Sequence, residues 1–76
     1  MKYDDTKINE ATLALMYISR YTDGRVWKGY DWDTLDRLHK EGLITDPVGK
    51  AKSVVITEEG LKIGEKLASK YFSNES

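Results

Sequence analysis

The stretch LDRLHKEGLITDPVGKAKSVVITEEG, residues 35–60, decides the fold of this chain. It reads in order as an amphipathic helix, a glycine stop, a turn, an apolar strand and the start of another helix. That order is typical of a helix followed by a β-hairpin wing. The stretch therefore predicts a helix–wing unit, and the flanking segments supply the remainder of the core.

The helix of this unit carries clear start and stop signals. Asp31 is placed to cap its first turn, and Tyr30 and Leu35 occupy the two positions of a hydrophobic staple. Gly42 ends the helix, and Leu43 can fold back over the last turn as in a Schellman motif. These signals predict a helix that begins just after residue 31 and ends at residue 42.

The wing and the last helix follow from the remainder of the stretch. SVVIT, residues 53–57, is rich in β-branched residues and predicts a strand, and DPVG, residues 46–49, predicts a turn. Residues 43–44 can form a further short strand. Thr57 is expected to cap a third helix. Its buried side is predicted to be formed by Leu61, Gly64, Leu67, Ala68, Tyr71 and Phe72.

The first helix is predicted over residues 6–21, capped by Asp5 or Thr6. An apolar stripe recurs at helical spacing and is formed by Ile8, Ala11, Leu15 and Ile18. Residues 11–19 carry no charge, and Leu13, Met16 and Tyr17 add apolar bulk on the other faces. A helix that is apolar all round is buried all round. Leu13, Met16 and Tyr17 are therefore predicted to contact a second copy of the chain in a homodimer.

Residues 22–32, TDGRVWKGYDW, link the first helix to the second. Asp23 and the following glycine signal a turn, and RVWK predicts a short strand. Three aromatic residues lie close together here, Trp27, Tyr30 and Trp32. Such a cluster most often fills the core of a small domain, and this is the expectation. The alternative is that the rings stack on bases of a single-stranded nucleic acid.

The resulting outline is helix, strand, helix, strand, strand, helix. It predicts a single α+β domain over residues 1–76, with three helices and a two- or three-stranded antiparallel sheet. The polar tail at residues 73–76 is expected to be disordered.

LDRLHKEGLI, a lysine-bearing turn, VVITEEGLK and the closing helix resemble the latter half of bacterial winged-helix repressors of the multiple-antibiotic-resistance type. The resemblance implies a winged-helix fold and DNA binding. The longer stretch at residues 24–60 is similar to a family of short bacterial proteins known only as a domain of unknown function. A helix-turn-helix needs a supporting helix directly before the reading helix. Residues 22–31 leave no room for one, so a trimmed winged-helix-like domain is predicted.

Composition narrows the function classes. The chain has 76 residues, a net charge of −1 and no cysteine, which excludes disulfides and thiolate metal sites. The single histidine, His39, cannot form a structural zinc site, and no nucleophile–base set stands out, so no metal, cofactor or enzyme activity is expected. The charged start is unlike a signal peptide, and the run at residues 11–19 is too short to cross a bilayer. A cytoplasmic protein without membrane contact is predicted.

Two function hypotheses remain open. The first is a DNA-binding accessory protein or transcriptional regulator that contacts mostly the phosphates of duplex DNA. Its candidate residues are Arg25, Lys28, Arg37, Lys40, Lys50 and Lys52. The second is a protein–protein interaction module that binds no nucleic acid. The second helix also carries Asp33, Asp36 and Glu41, which disfavour contact with phosphates, and two of these carboxylates can form i,i+4 ion pairs with Arg37 and Lys40. The wing lysines can equally protect a strand edge.

Overall fold

The computed structural model describes residues 2–74. Within them the chain forms α1 (Asp5–Ser19), a short 3-10 turn (Thr22–Gly24), β1 (Arg25–Trp27), α2 (Trp32–Lys40), β2 (Ser53–Val55) and α3 (Glu58–Phe72). The two strands pair antiparallel, and an isolated bridge joins Ile44 to Ile56. This α+β architecture, with three helices and a two-stranded sheet, confirms the predicted fold class and is compatible with a winged-helix-like domain.

The caps of α2 and α3 confirm the sequence signals. The Asp31 carboxylate accepts a hydrogen bond from the Thr34 N–H at 3.2 Å, and the Thr57 hydroxyl accepts one from the Gly60 N–H at 3.0 Å. Gly42 has a φ of 76° and ends α2 in the predicted Schellman motif, in which the Leu43 N–H donates across the last turn at 3.0 Å. These features form where sequence predicts them because they depend on residues a few positions apart.

The start of α1 differs by one residue from the prediction. Asp4, not Asp5 or Thr6, caps the helix, and its carboxylate accepts a hydrogen bond from the Lys7 N–H at 3.2 Å. Asp4 has the extended backbone that a capping residue requires, whereas Asp5 is already helical. Of the predicted disordered tail, residues 75–76 lie outside the described residues, and Ser73 is the C-cap of α3.

The core contains apolar side chains of α1, α2, both strands and the residues beside them, and α3 packs against it through half-buried Leu61, Ile63 and Leu67. Its buried members are Leu13, Met16, Val26, Leu35, Leu38, Leu43, Ile44, Val54 and Ile56. Helices α1 and α3 pack antiparallel beside it. The Tyr17 ring lies where a Cβ on Gly64 would contact it, and the Tyr71 hydroxyl donates to Glu10 at 2.7 Å. Tyr71 is nevertheless 38% exposed and Phe72 45% exposed, so the prediction that they are buried is wrong. They belong to the last turn of α3.

The faces of α1 are the reverse of those predicted. Leu13 is 1% and Met16 0% exposed, so both lie in the core of their own chain and cannot contact a second copy. Tyr17 is half-buried against α3. Leu15 and Ile18 are 45% and 55% exposed instead. The middle of α1 is apolar on every side, so helical periodicity alone could not select the face that enters the core.

The prediction that the tryptophans fill the core is also wrong. Trp27 is 63% and Trp32 54% exposed, and only Tyr30 of the aromatic cluster packs against the core. Strand β1 alternates, and its single inward position belongs to Val26. Trp32 is the first residue of α2, whose buried positions begin two residues later at Thr34.

The supporting helix of a helix-turn-helix is absent from the described chain, as the trimmed architecture predicts. Residues 22–24 make one 3-10 turn that is interrupted by the left-handed Asp23, and β1 follows at once. Helix α2 therefore stands alone in front of the hairpin. None of the helices within residues 2–74 is long and apolar enough to cross a membrane.

Candidate nucleic-acid interface

The candidate site is the hairpin end, which we define as residues 22–29 and 44–56. The chain between α2 and β2 is ordered by local hydrogen bonds. The Thr45 N–H donates to the Val55 carbonyl at 2.9 Å, and the Val55 N–H donates to the Thr45 hydroxyl at 2.9 Å. The Asp46 carboxylate accepts from the Val48 N–H at 2.9 Å. The wing thus has a defined backbone on which exposed side chains are displayed.

Lys28 lies in the hairpin end as predicted, but its ammonium group is already used. It donates to the carbonyls of Pro47 at 2.6 Å and Gly49 at 3.0 Å. The Lys28 N–H also donates to the Lys52 carbonyl at 3.0 Å, which extends the strand ladder by one step. Lys28 therefore fastens the wing turn to the end of β1 and is not free to bind phosphate.

Arg37, the central cation of α2, is likewise used within the chain. Its Nε donates to the Asn9 side-chain oxygen at 2.9 Å, and one terminal nitrogen donates to the Thr34 hydroxyl at 3.1 Å. A long ion pair to Asp5 at 3.9 Å completes the set. Thr34 is 1% exposed, and its hydroxyl donates to Asp31 at 3.2 Å. Arg37 thus joins α2 to α1.

Lys40 forms the predicted ion pair with Asp36, at 3.0 Å. The second predicted pair on α2, between Asp33 and Arg37, does not form, because the Arg37 guanidinium points toward α1 instead. The outer face of α2 is left with exposed Asp33 and Glu41 beside a neutralised Lys40. Such a surface opposes entry into a groove lined with phosphates.

Three of the six predicted cations, Arg25, Lys50 and Lys52, remain available. All three are exposed, and none forms an ion pair with a carboxylate of residues 2–74. The hairpin end contains four basic and two acidic residues, leaving eight of the twelve basic and eleven of the thirteen acidic residues for the rest of the chain. The net charge of −1 is therefore unevenly distributed: the hairpin end is positive and the rest of the chain is negative.

Trp27 belongs to the same surface, although its aromatic cluster was predicted to fill the core. Arg25 and Trp27 both lie on the outer side of β1, with Val26 between them facing inward. Across the sheet, Arg25 is opposite Val55 and Trp27 is opposite Ser53. Strand alternation could have identified this face. Neighbouring residues of a strand point to opposite sides, so if Val26 faces the core, Arg25 and Trp27 face outward.

The described residues offer little for metal chemistry. No group of three metal-ligating side chains occurs among them. A cleft of about 530 Å³ lies between the start of α1 and the start of α2, and a smaller one of about 200 Å³ lies between α1, α3 and the end of α2. Glu10 and Glu41 stand at this smaller cleft. The hydrogen bond from Tyr71 to Glu10, with smaller effects of desolvation and nearby carboxylates, raises the pKa of the Tyr71 hydroxyl.

Comparison with known proteins identifies a family model and a relative that match nearly the whole chain. The model of the family described as Domain of unknown function (DUF6429) matches residues 4–74. The chain is 48% identical over 73 residues to "Uncharacterized protein y4hR" of Sinorhizobium fredii (strain NBRC 101917 / NGR234). The aligned residues make up 96% of this chain and 99% of that protein. No solved structure gives a significant match. The resemblance to the unknown-function family is thus confirmed, whereas none of these matches is to a winged-helix repressor.

Proposed function

This chain belongs to the family described as Domain of unknown function (DUF6429), and we propose that it is a nucleic-acid-binding accessory or regulatory protein that contacts mainly phosphates. The observation that carries the proposal is the group of exposed, unpaired cations at the hairpin end, Arg25, Lys50 and Lys52. Phosphate contacts supply most of the affinity in sequence-independent binding, and they need a local basic surface rather than a basic protein. The proposed role is binding without catalysis, in the cytoplasm.

The proposal leaves little part for α2 in reading bases. Arg37 is held by Asn9 and Thr34, and Lys40 by Asp36. To use either cation on a phosphate, the protein would have to break existing contacts. Binding through the hairpin end costs no such contact, and it predicts affinity that depends little on sequence and strongly on salt.

A salt titration with charge-reversal variants tests this proposal. Three phosphate contacts to a duplex predict a slope of log K against log salt of about −2.7, or about 40-fold weaker binding at about 200 mM than at about 50 mM salt. Lys50→Glu/Lys52→Glu should remove two of the three contacts, so that the slope becomes shallower and changes from about −2.7 to about −0.9. Fluorescence anisotropy of a labelled generic DNA measures both.

The matched control is Lys62→Glu/Lys66→Glu, which makes the same change in net charge on the exposed face of α3. It should reduce affinity far less than the wing variant and leave the slope unchanged. Equal losses in the two variants would mean that net charge alone acts, and no binding at low salt to any nucleic acid would end the proposal.

A homodimer is proposed as the functional unit, through a face other than the one predicted from sequence. The α1 outer stripe consists of Ile8, Ala11, Leu15 and Ile18, which are half-buried or exposed. Their spacing of three, four and three residues is that of a helix–helix seam. In an antiparallel pair related by a two-fold axis, Ile8 would lie opposite Ile18 and Ala11 opposite Leu15. The large Leu15 side chain of one copy then packs against the small Ala11 side chain of the other, and the four stripe residues carry no charge that would repel the second copy.

Sedimentation measures this association directly. We expect a reversible dimer at high micromolar concentration, and a monomer for Ile18→Lys, which places a charge in the stripe. Val48→Lys is the matched control, because Val48 is 70% exposed against 55% for Ile18 but lies in the hairpin end. A wild-type chain that is monomeric at that concentration, or a control that dissociates as fully as Ile18→Lys, would contradict the proposal.

A protein-interaction module is the second candidate function, and Trp32 is the observation that favours it. This side chain is 54% exposed between Asp31 and Asp33, in surroundings that repel phosphate. Tryptophan is enriched among the residues that dominate protein–protein affinity. In this case the wing lysines would serve only to protect the strand edge. A chain that dimerises but binds no nucleic acid at low salt would select this function.

A further inference from the structure

Trp27 is the one aromatic residue of the hairpin end, and it is 63% exposed. Ser53 is its partner in the ladder, so no large side chain lies directly opposite it on the neighbouring strand. The ring and cation–π contacts of the described residues involve Tyr17, Tyr71 and Phe72, and none involves Trp27. One face of the indole is therefore free to receive another flat ring.

The backbone beneath this indole is held in place. Trp27 ends β1, and the next residue, Lys28, donates its N–H to the Lys52 carbonyl at 3.0 Å and its ammonium to two carbonyls of the wing turn. The ring is thus presented by a fixed strand rather than by a loose loop. A platform that is ordered before binding loses less conformational entropy when a ligand arrives.

The charge around Trp27 identifies the kind of flat ring that fits. Arg25 lies two residues away on the same outer face, about 7 Å along an extended strand. The hairpin end as a whole carries four basic and two acidic residues. An aromatic platform beside cations suits a nucleotide, whose base stacks while its phosphate meets the charge. Trp32 has two aspartate neighbours instead, so it does not share this suitability.

We infer that Trp27 stacks on an unpaired nucleobase while Arg25 binds an adjacent phosphate, so that the ligand is single-stranded or locally melted nucleic acid. Bases inside a duplex already stack on each other and present no free face to an indole. The inference rests on the proposed nucleic-acid binding and deepens it. It separates the ligand from intact duplex, which could meet only the phosphate-binding cations.

The chain has two tryptophans, so each can be observed alone. Trp32→Phe leaves Trp27 as the only indole, and Trp27→Phe leaves Trp32. Titrating both variants at low salt with oligothymidylate, which has little structure of its own, should quench the fluorescence of Trp27 and leave that of Trp32 nearly unchanged. A duplex of the same length should quench Trp27 much less.

Affinity gives a second readout. Trp27→Ala should weaken binding to oligothymidylate about 10-fold or more, Trp27→Phe should weaken it less, and Trp32→Ala should leave it unchanged. Binding to the duplex should change little in all three variants. Because both tryptophans are more than half exposed, the variants should keep the wild-type circular dichroism spectrum, which checks the fold.

The outcomes separate this inference from the function on which it rests. If neither single strand nor duplex binds at low salt, the proposed function fails and the stacking inference fails with it. If both bind equally, without Trp27 quenching and without loss in Trp27→Ala, phosphate binding stands and stacking is overturned. Stacking is supported by a loss of binding in Trp27→Ala, a smaller loss in Trp27→Phe and quenching of the Trp27 fluorescence in Trp32→Phe.

Discussion

Replacing Gly60 with alanine is expected to destabilise the domain by about 3 kcal/mol or more, at the upper end of the cost of overpacking a core. Gly60 is buried in the first turn of α3. A Cβ at this position would overlap the Leu43 carbonyl oxygen and lie 2.7 Å from a methyl carbon of Ile56. The carbonyl cannot move away freely, because it accepts a hydrogen bond from the Thr57 N–H at 3.1 Å. Urea unfolding followed by circular dichroism measures the loss.

Gly29→Ala is the control for this substitution. A Cβ at residue 29 would have no heavy atom within 4 Å, and Gly29 does not have a positive φ. Its free energy of unfolding should stay within about 0.5 kcal/mol of the wild type, as for most exposed substitutions. If Gly60→Ala were as stable as Gly29→Ala, the close approach of α3 to the end of α2 would be wrong.

The Thr-x-x-Gly pattern at residues 57–60 therefore has a structural explanation. The Thr57 hydroxyl accepts the Gly60 N–H at 3.0 Å and donates to the Gly42 carbonyl at 2.7 Å. One side chain thus caps α3 and ties it to the turn that ends α2. The glycine is required because the same turn approaches too closely for any side chain. The pattern stabilises the scaffold, and it carries no information about a ligand.

Sequence predicted the caps of α2 and α3 and the glycine that ends α2, because each of these is local. Asp31 and Thr57 cap helices through atoms three residues away, and Gly42 adopts a conformation that glycine tolerates best. The absence of a supporting helix was equally predictable, because residues 22–31 are too few to hold one. Fold class follows from such signals together with the strand composition.

Which cations are free to bind a ligand was predictable only in part, because their partners lie in distant segments of the chain. Arg37 looked like a surface cation in an i,i+4 pair, but Asn9, 28 residues away, takes its Nε hydrogen bond. Lys28 looked free, but carbonyls 19 and 21 residues away hold its ammonium. Only the cations without such partners, Arg25, Lys50 and Lys52, remain from the six that sequence proposed.

The opposite error was made for the tryptophans, which were predicted to be buried and are exposed. Large aromatic residues usually fill the core of a small domain, and aliphatic residues fill it here. Val26 and Leu35 occupy the inward positions nearest to Trp27 and Trp32, so the rings are left on the surface. An aromatic ring that the core does not need is available for binding, which is why the stacking alternative gains support from the structure.

Leu13→Ala is the second substitution with a large expected effect on stability. It tests which face of α1 enters the core. Leu13 is 1% exposed and belongs to the central apolar cluster. Its truncation should lower the free energy of unfolding by about 2–5 kcal/mol, through lost burial and the cavity left behind. Thermal and urea unfolding should report this loss at every protein concentration.

Leu15→Ala is the matched control on the same helix, since Leu15 is 45% exposed. For the monomer its effect should stay within about 0.5 kcal/mol. At high micromolar concentration a dimer held by the α1 outer stripe adds stability by mass action, and Leu15→Ala should reduce that added part. A concentration-dependent loss at residue 15 beside a concentration-independent loss at residue 13 distinguishes the two faces. The opposite pattern would restore the orientation that periodicity suggested and remove the basis for the proposed dimer surface.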